Sequence, residues 1–227
     1  NSNVGNDLYQ GIDGAWSIYA NYVANNVSNS LKASTLNVYG GMRRGGYNYY
    51  ALDLKDIETS SPNLLFKVGP QQTVNATTGA VTLNGTCGNI VPLDCMGQSW
   101  SKPTIAWIKW KGKPQLVMIV GGGYDTQYDT VTYKSNTTAT KGNGVYIFAA
   151  EKAKTATGSN DTTMPDPGAL LWWGSSTATN TTPGNNNTTQ KTNNANLKYS
   201  VVSEIKAIDR DSDGFVDNLY FGDLGGQ

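Results

Sequence analysis

Near the carboxyl end, Asp209-Arg210-Asp211-Ser212-Asp213-Gly214-Phe215-Val216-Asp217 carries carboxylates at positions 1, 3, 5 and 9 and glycine at position 6. In a tight loop, alternate side chains at 1, 3 and 5 face one side, and the glycine allows a sharp turn with positive φ. The Phe215 carbonyl, at position 7, can point the same way, and Asp217 closes the ring. An oxygen-only donor set in an irregular loop suits calcium, which takes six to eight such ligands; magnesium demands a stricter octahedron and keeps its waters. The candidate ligands are therefore Asp209, Asp211, Asp213, Phe215 through its carbonyl, and Asp217. Electrostatics gives the loop a reason to bind a cation. Two unit charges about 6 Å apart repel by roughly 3 kcal/mol at an effective dielectric of 20, and only Arg210 lies among the four acids. The alternative is a solvated acidic turn.

The loop is not an EF-hand. Position 12 is Tyr220, where an EF-hand has a bidentate glutamate. Its flanks, YSVVSEIKAI (199–208) and LYFGDL (219–224), read as strands, so it is expected to be the turn of a β-hairpin. Other chemistry is thinly represented. The chain has no histidine, which excludes histidine triads, histidine-ligated zinc and imidazole proton shuttles. No Ser, Cys or Lys nucleophile has a base beside it in sequence, and no enzymatic activity is expected. Asp53, Asp56 and Glu58 read as a surface turn, Asp125 and Asp129 as a weaker ligand candidate. Arg43-Arg44 reads as a solvated pair. The tryptophans at 100, 107, 110, 172 and 173 invite a sugar-binding role, but their placement in strands favours core.

Strand signals position these residues. Runs of Tyr, Val, Ile, Thr and Trp are broken by Gly, Pro and Asn, and almost nothing has a helical period. An internal repeat is visible. LNVYGG (36–41), YYALDL (49–54) and LLFKVG (64–69) are matched by LVMIVGG (116–122), VYIFAAE (145–151) and LLWWGSS (170–176). A further strand precedes each trio, GAWSIYANY (14–22) and PTIAWIKW (103–110), and a third unit begins near Tyr199. Four antiparallel strands per unit is the pattern of a β-propeller blade. The expected fold is all-β, with residues 1–227 part of one propeller domain. Blades are expected over about 12–69, 103–176 and, incompletely, 199–227, about two and a half in all. Segments 71–86, 125–143 and 177–196 are polar inserts that cannot bury enough surface to offset ordering entropy, and are expected to be exposed and mobile.

Composition sets the surroundings. Lys+Arg and Asp+Glu both number 17, so no basic surface for nucleic acid is expected. Charged residues are 15% of the 227, below the ~25% usual for soluble domains. No apolar run reaches the ~18 residues of a membrane span, and with neither an initiator Met nor a signal peptide, Asn1 reads as a cut inside a longer protein. Cys87 and Cys95 read as one local disulfide in a secreted chain, or else as two reduced thiols.

Three segments together resemble the C-terminal domain of the PilC/PilY family of type IV pilus tip-associated proteins: GGMRRGGYNYYALDL (40–54), GQSWSKPTIAWI (97–108) and AIDRDSDGFVDNLYFGDLGGQ (207–227). The resemblance spans most of residues 8–227, the polar inserts excepted. It implies a modified seven-bladed propeller, secreted through the periplasm and held at the pilus tip or outer membrane. It also implies calcium-dependent control of pilus extension and retraction, with surface attachment. The ligand set it implies is that given above. Implied partners are minor pilin subunits and a host or abiotic surface. The chain lacks an Arg-Gly-Asp tripeptide, so integrin-type adhesion has no support. Two alternatives are another extracellular calcium propeller, integrin-like or lectin-like, and a quinoprotein-like enzyme.

Overall fold

The computed structural model describes residues 11–25, 30–77, 80–130, 140–182 and 189–226. Strands β1 (Trp16–Asn25), β2 (Ser30–Gly41), β3 (Tyr49–Asp53) and β4 (Asn63–Val68) form an up-and-down antiparallel sheet in that order. A small hairpin, β5 (Gln72–Val74) and β6 (Val81–Leu83), follows. A second sheet contains β7 (Thr104–Trp110), β8 (Lys113–Gly121), β9 (Val145–Ala149), β10 (Leu170–Ser175) and β11 (Gln190–Asn193). Its order is β11-β10-β9-β8-β7, antiparallel except for the β10–β11 pair. The last hairpin is β12 (Lys206–Ile208) with β13 (Asn218–Tyr220). The all-β reading holds, in several antiparallel sheets; no closed propeller forms among the described residues.

The second sheet is the middle layer, because its alternate residues go to two different cores. Leu116, Met118, Val120, Tyr146, Phe148 and Trp173 pack with Tyr39, Tyr49, Ala51 and Phe66 of the first sheet. Val117, Ile119, Val145, Ala149 and Leu171 pack with Ile205, Ala207, Leu219 and Phe221 around the last hairpin. This explains why β8 reads as an unbroken apolar run: with period 2, a strand covered on both faces needs hydrophobes at every position. The β7–β8 turn is the two-residue kind, with Lys111 at φ 51° and Gly112 at φ 74°. Positive φ at both central positions matches the twist of the flanking strands.

Three sequence expectations need correction. Insert 177–196 is not all loop: Gln190–Asn193 pair in parallel with β10. Apart from Ala178, which enters the first core, the insert docks through polar side chains. The Trp172 Nε1 donates to Thr192 Oγ1 at 3.0 Å, and Asn193 Nδ2 donates to the Ala178 carbonyl at 2.7 Å. Segments 71–86 and 125–143 likewise contain the β5–β6 hairpin and a 3₁₀ turn at Thr126–Asp129; residues 78–79, 131–139 and 183–188 of the three inserts lie outside the described residues. The expected strand over Tyr199–Ile208 reduces to Lys206–Ile208. The preceding residues instead close the end of the middle sheet, with Val201 N–H bonded to the Gly142 carbonyl and Ser101 Oγ to the Ser203 carbonyl at 2.7 Å. The tryptophans also divide. Trp173 is fully buried and Trp107 is 36% exposed; Trp100 lies outside the strands, 4.7 Å beneath the Arg43 guanidinium.

Cys87 and Cys95 form a disulfide. It secures the segment whose Cys95 carbonyl accepts from Gly142 N–H and whose Asp94 carbonyl accepts from the Lys141 ammonium at 2.7 Å. Closing so short a loop is worth about 2–3 kcal/mol by chain entropy. Changing both cysteines to alanine is expected to lower the unfolding free energy by that amount in urea titrations, and reductant should no longer affect the double variant.

Candidate metal centre

The acidic segment occupies the loop between β12 and β13, closed by the Ile208–Asn218 pair. Its shape comes from two residues with positive φ, Ser212 at 61° and Gly214 at 88°. A serine in that region is uncommon, so the surrounding hydrogen bonds must hold it there. Asp209 supplies two of them. Its Oδ2 accepts from Gly214 N–H at 2.8 Å, and its Oδ1 from Asp213 N–H at 3.2 Å. Asp211 Oδ1 also accepts from Asp213 N–H, and Asp217 Oδ2 from Arg210 N–H at 2.8 Å. Each acid thus folds the loop back on itself and orients its own carboxylate.

Carboxylate oxygens of Asp209, Asp211 and Asp217 converge to within 4.8 Å of one another. Asp209 is half-buried and the other two are exposed. Three hard anionic donors this close fit a divalent cation, which would remove their mutual repulsion. Asp213 behaves differently. Its Oδ2 takes an ion pair with Lys109 Nζ at 2.6 Å, and its Oδ1 accepts from Phe215 N–H at 2.9 Å. The lysine holds the Asp213 carboxyl below the usual carboxylate range, with the Phe215 N–H adding to the effect. Lys109 also sits 4.7 Å over the Phe215 ring. Of the five expected ligands, three side chains come together, the fourth is paired with an internal cation, and Phe215 contributes its N–H and ring to the Asp213–Lys109 contact.

Lys109 is the member that sequence reasoning missed. It lies on β7, far from the loop in sequence, and meets it because the loop packs on the exposed edge of that strand. Val216 N–H donates to the Trp107 carbonyl at 2.9 Å, supplying a partner to an edge group that would otherwise face water. No local pattern in the sequence announces this contact.

The weaker candidates have structural roles. Asp125 is buried and accepts from Gln127 N–H, Thr140 N–H and Oγ1, and Lys141 N–H, at 2.9–3.1 Å. Asp129 accepts from Tyr124 Oη at 2.8 Å and pairs with Arg44 at 3.3 Å. Asp53 caps the turn at Lys55 N–H, while Asp56 pairs with Lys55 at 3.3 Å on an exposed turn.

No family model matches the chain, and no curated protein is similar to it. Among solved structures, it is similar to the C-terminal domain of Pseudomonas aeruginosa PilY1, with a TM-score of 0.45 and 18% identity over 93% of this chain. The chain spans 28% of the length of that structure.

With calcium as the probe, the unfolding midpoint is expected to rise, by about 2.7 kcal/mol of stability at a hundredfold excess over the dissociation constant. Asp209→Asn and Asp217→Asn should each abolish the rise. Lys109→Met should enlarge it, because the metal-free loop then lacks its own cation. A wild-type midpoint indifferent to millimolar calcium would sink this assignment.

Proposed function

We propose that the chain is a calcium-binding β-propeller module of a type IV pilus tip-associated biogenesis and adhesion protein. On this reading, calcium in the β12–β13 loop controls pilus extension against retraction and attachment to surfaces. The convergence of Asp209, Asp211 and Asp217 within 4.8 Å carries the proposal. The three sequence segments that resemble the PilC/PilY family support it, since the acidic loop and its following YFGDL run form one of them. The layering supports the propeller. A four-stranded antiparallel sheet packs face to face on a second sheet, which is covered in turn by a hairpin. The outer face of the first sheet is apolar and exposed, with Ile18 at 68% and Leu64 at 59%. That face is what a blade presents to its next neighbour.

The loop's role is local. Its ion neutralises the acids and fixes the turn that joins β12 to β13. The hairpin thereby holds against the middle sheet through Ala207, Leu219 and Phe221. An ion that binds only this arrangement favours it over a loosened one. The pilin-facing and surface-facing contacts would be made in the ordered state. The disulfide and the proposed setting agree, because such bonds persist outside the reducing cytosol. No helix among the described residues is long and apolar enough to cross a membrane.

In piliated cells, Asp209→Ala in the full-length protein is expected to lower surface piliation and twitching motility at least severalfold. Protein level and secretion should be unchanged. If calcium binding is lost while piliation and motility stay at wild-type values, the pilus assignment fails and the metal site stands.

A further inference from the structure

A cavity of about 410 Å³ opens between the end of the β7–β8 hairpin and the segment 151–161. Its size lies within the ~300–1,000 Å³ of small-molecule sites. Trp107, Lys113, Gln115, Leu116, Glu151 and Asp161 are among its lining residues. We propose that this cavity binds a neutral pyranose sugar, with the Trp107 indole as its stacking platform and the buried Gln115 amide, the buried Asp161 carboxylate and the half-buried Glu151 carboxylate as partners for its hydroxyls.

Trp107 is the first reason. It is the most exposed of the six tryptophans, at 36%, and sits on a strand whose same-face neighbours Ile105 and Leu116 belong to the core. Among the described residues, Tyr19, edge-on at 6.4 Å, is the aromatic partner in contact with its ring. A large flat apolar surface left at the mouth of a cavity is suited to the C–H face of a sugar ring, and the indole loses little entropy in presenting it.

The polar lining is the second. Gln115 is fully buried, yet its Oε1 has no donor. Its Nε2 is committed to the Leu116 carbonyl at 2.9 Å and the Glu151 carbonyl at 2.8 Å, so the side chain cannot turn to satisfy itself. An orphaned buried acceptor is costly and marks a site where a donor belongs. Beside it, one oxygen of Glu151 accepts from Asn37 Nδ2 at 2.6 Å, and burial pushes its carboxyl up from the ordinary value. Asp161 is 7% exposed and fixed by the Lys113 ammonium at 2.6 Å and by Thr163 N–H and Oγ1. A hydroxyl both donates and accepts, so a polyol can use acceptors and an ammonium in the same small space.

Charge is the third. Lys113 is paired with Asp161, Lys152 with Asp166 at 2.7 Å, and Lys154 with the Asn160 amide oxygen at 2.5 Å. The cations around the cavity are already occupied, which argues for an uncharged ligand over an anion. The walls are also built. Ala150 N–H bonds the Leu116 carbonyl, and the isolated Lys154–Asn160 bridge ties off the segment that forms the far side.

Saturation-transfer NMR of the 227-residue chain with the methyl glycosides of galactose, glucose, mannose and N-acetylglucosamine tests the proposal. At least one should bind saturably in the millimolar range. Trp107→Ala and Asp161→Asn are expected to weaken it at least tenfold. Trp107→Phe, which keeps an aromatic face and preserves folding, should weaken it by less. Trp100→Ala, at the other aromatic cluster, should leave it unchanged. Absence of saturable binding for all four glycosides, or equal affinity in wild type and in Trp107→Phe and Asp161→Asn variants that retain the wild-type spectrum, would overturn it.

Discussion

A sheet with hydrophobes on both faces cannot stand without a layer on each side. The middle sheet is of that kind: β8 sends Leu116, Met118 and Val120 one way and Val117 and Ile119 the other. On one side the cover is a full four-stranded sheet. On the other it is a hairpin of two three-residue strands with the segment leading into it. An isolated two-stranded hairpin is marginal in water. The thinnest layer of the molecule therefore guards the smaller of its two cores, and whatever orders that hairpin controls how well this core is closed.

Two devices order it, and they differ in kind. The first is built in: Val216 N–H takes the Trp107 carbonyl, and Lys109 pairs with Asp213 across the β7 edge. This pair is exposed, and such bridges contribute little on their own because solvent screens them. The second is the trio of carboxylates at Asp209, Asp211 and Asp217, which repel one another until a cation joins them. The built-in device is weak and permanent. On the proposed reading, the trio works against order without an ion and for it with one. On the same reading, the hairpin's stability depends on the ion's concentration as well as on its own packing.

The acidic loop was legible in the sequence because its information is local. Asp spacing, Gly214 and flanking strand signals lie within a few residues, and the positive φ at Gly214 follows from that pattern. Strands β1–β4 and β7–β10 of the two main sheets were legible for the same reason, through period and punctuation. What could not be read were contacts made across the chain. Lys109 meets Asp213 only because the loop packs on an edge strand. Gln190–Asn193 forms a strand in an Asn/Thr-rich insert because a neighbouring edge offers hydrogen bonds, and apolar patterning carries no trace of that. Tyr199–Ile205 has good strand composition but is drawn into loop contacts at Gly142 and Gly123. Trp107 and Trp173 both sit in strands, but the exposed one is on the edge strand β7 and the buried one on β10, paired on both sides.

The acidic loop and the cavity are joined through one strand. The Trp107 carbonyl accepts from the loop, while the same residue lines the cavity. Lys109, two residues on, carries the loop's ion pair. Such proximity does not by itself couple two sites: an ion shifts affinity at the cavity only if Trp107 is held differently in its presence. The edge position of β7 gives a physical basis for that difference. Its inner side is bonded to β8 from Thr104 to Trp110, whereas on its outer side the bond from Val216 fixes the strand at the tryptophan itself. When the loop loosens, the indole keeps its backbone register on the inner side and loses its anchor on the outer one. Were an ion to stiffen the loop, its effect on the proposed ligand site would be one of order more than displacement, since less entropy would remain for a ligand to remove on binding.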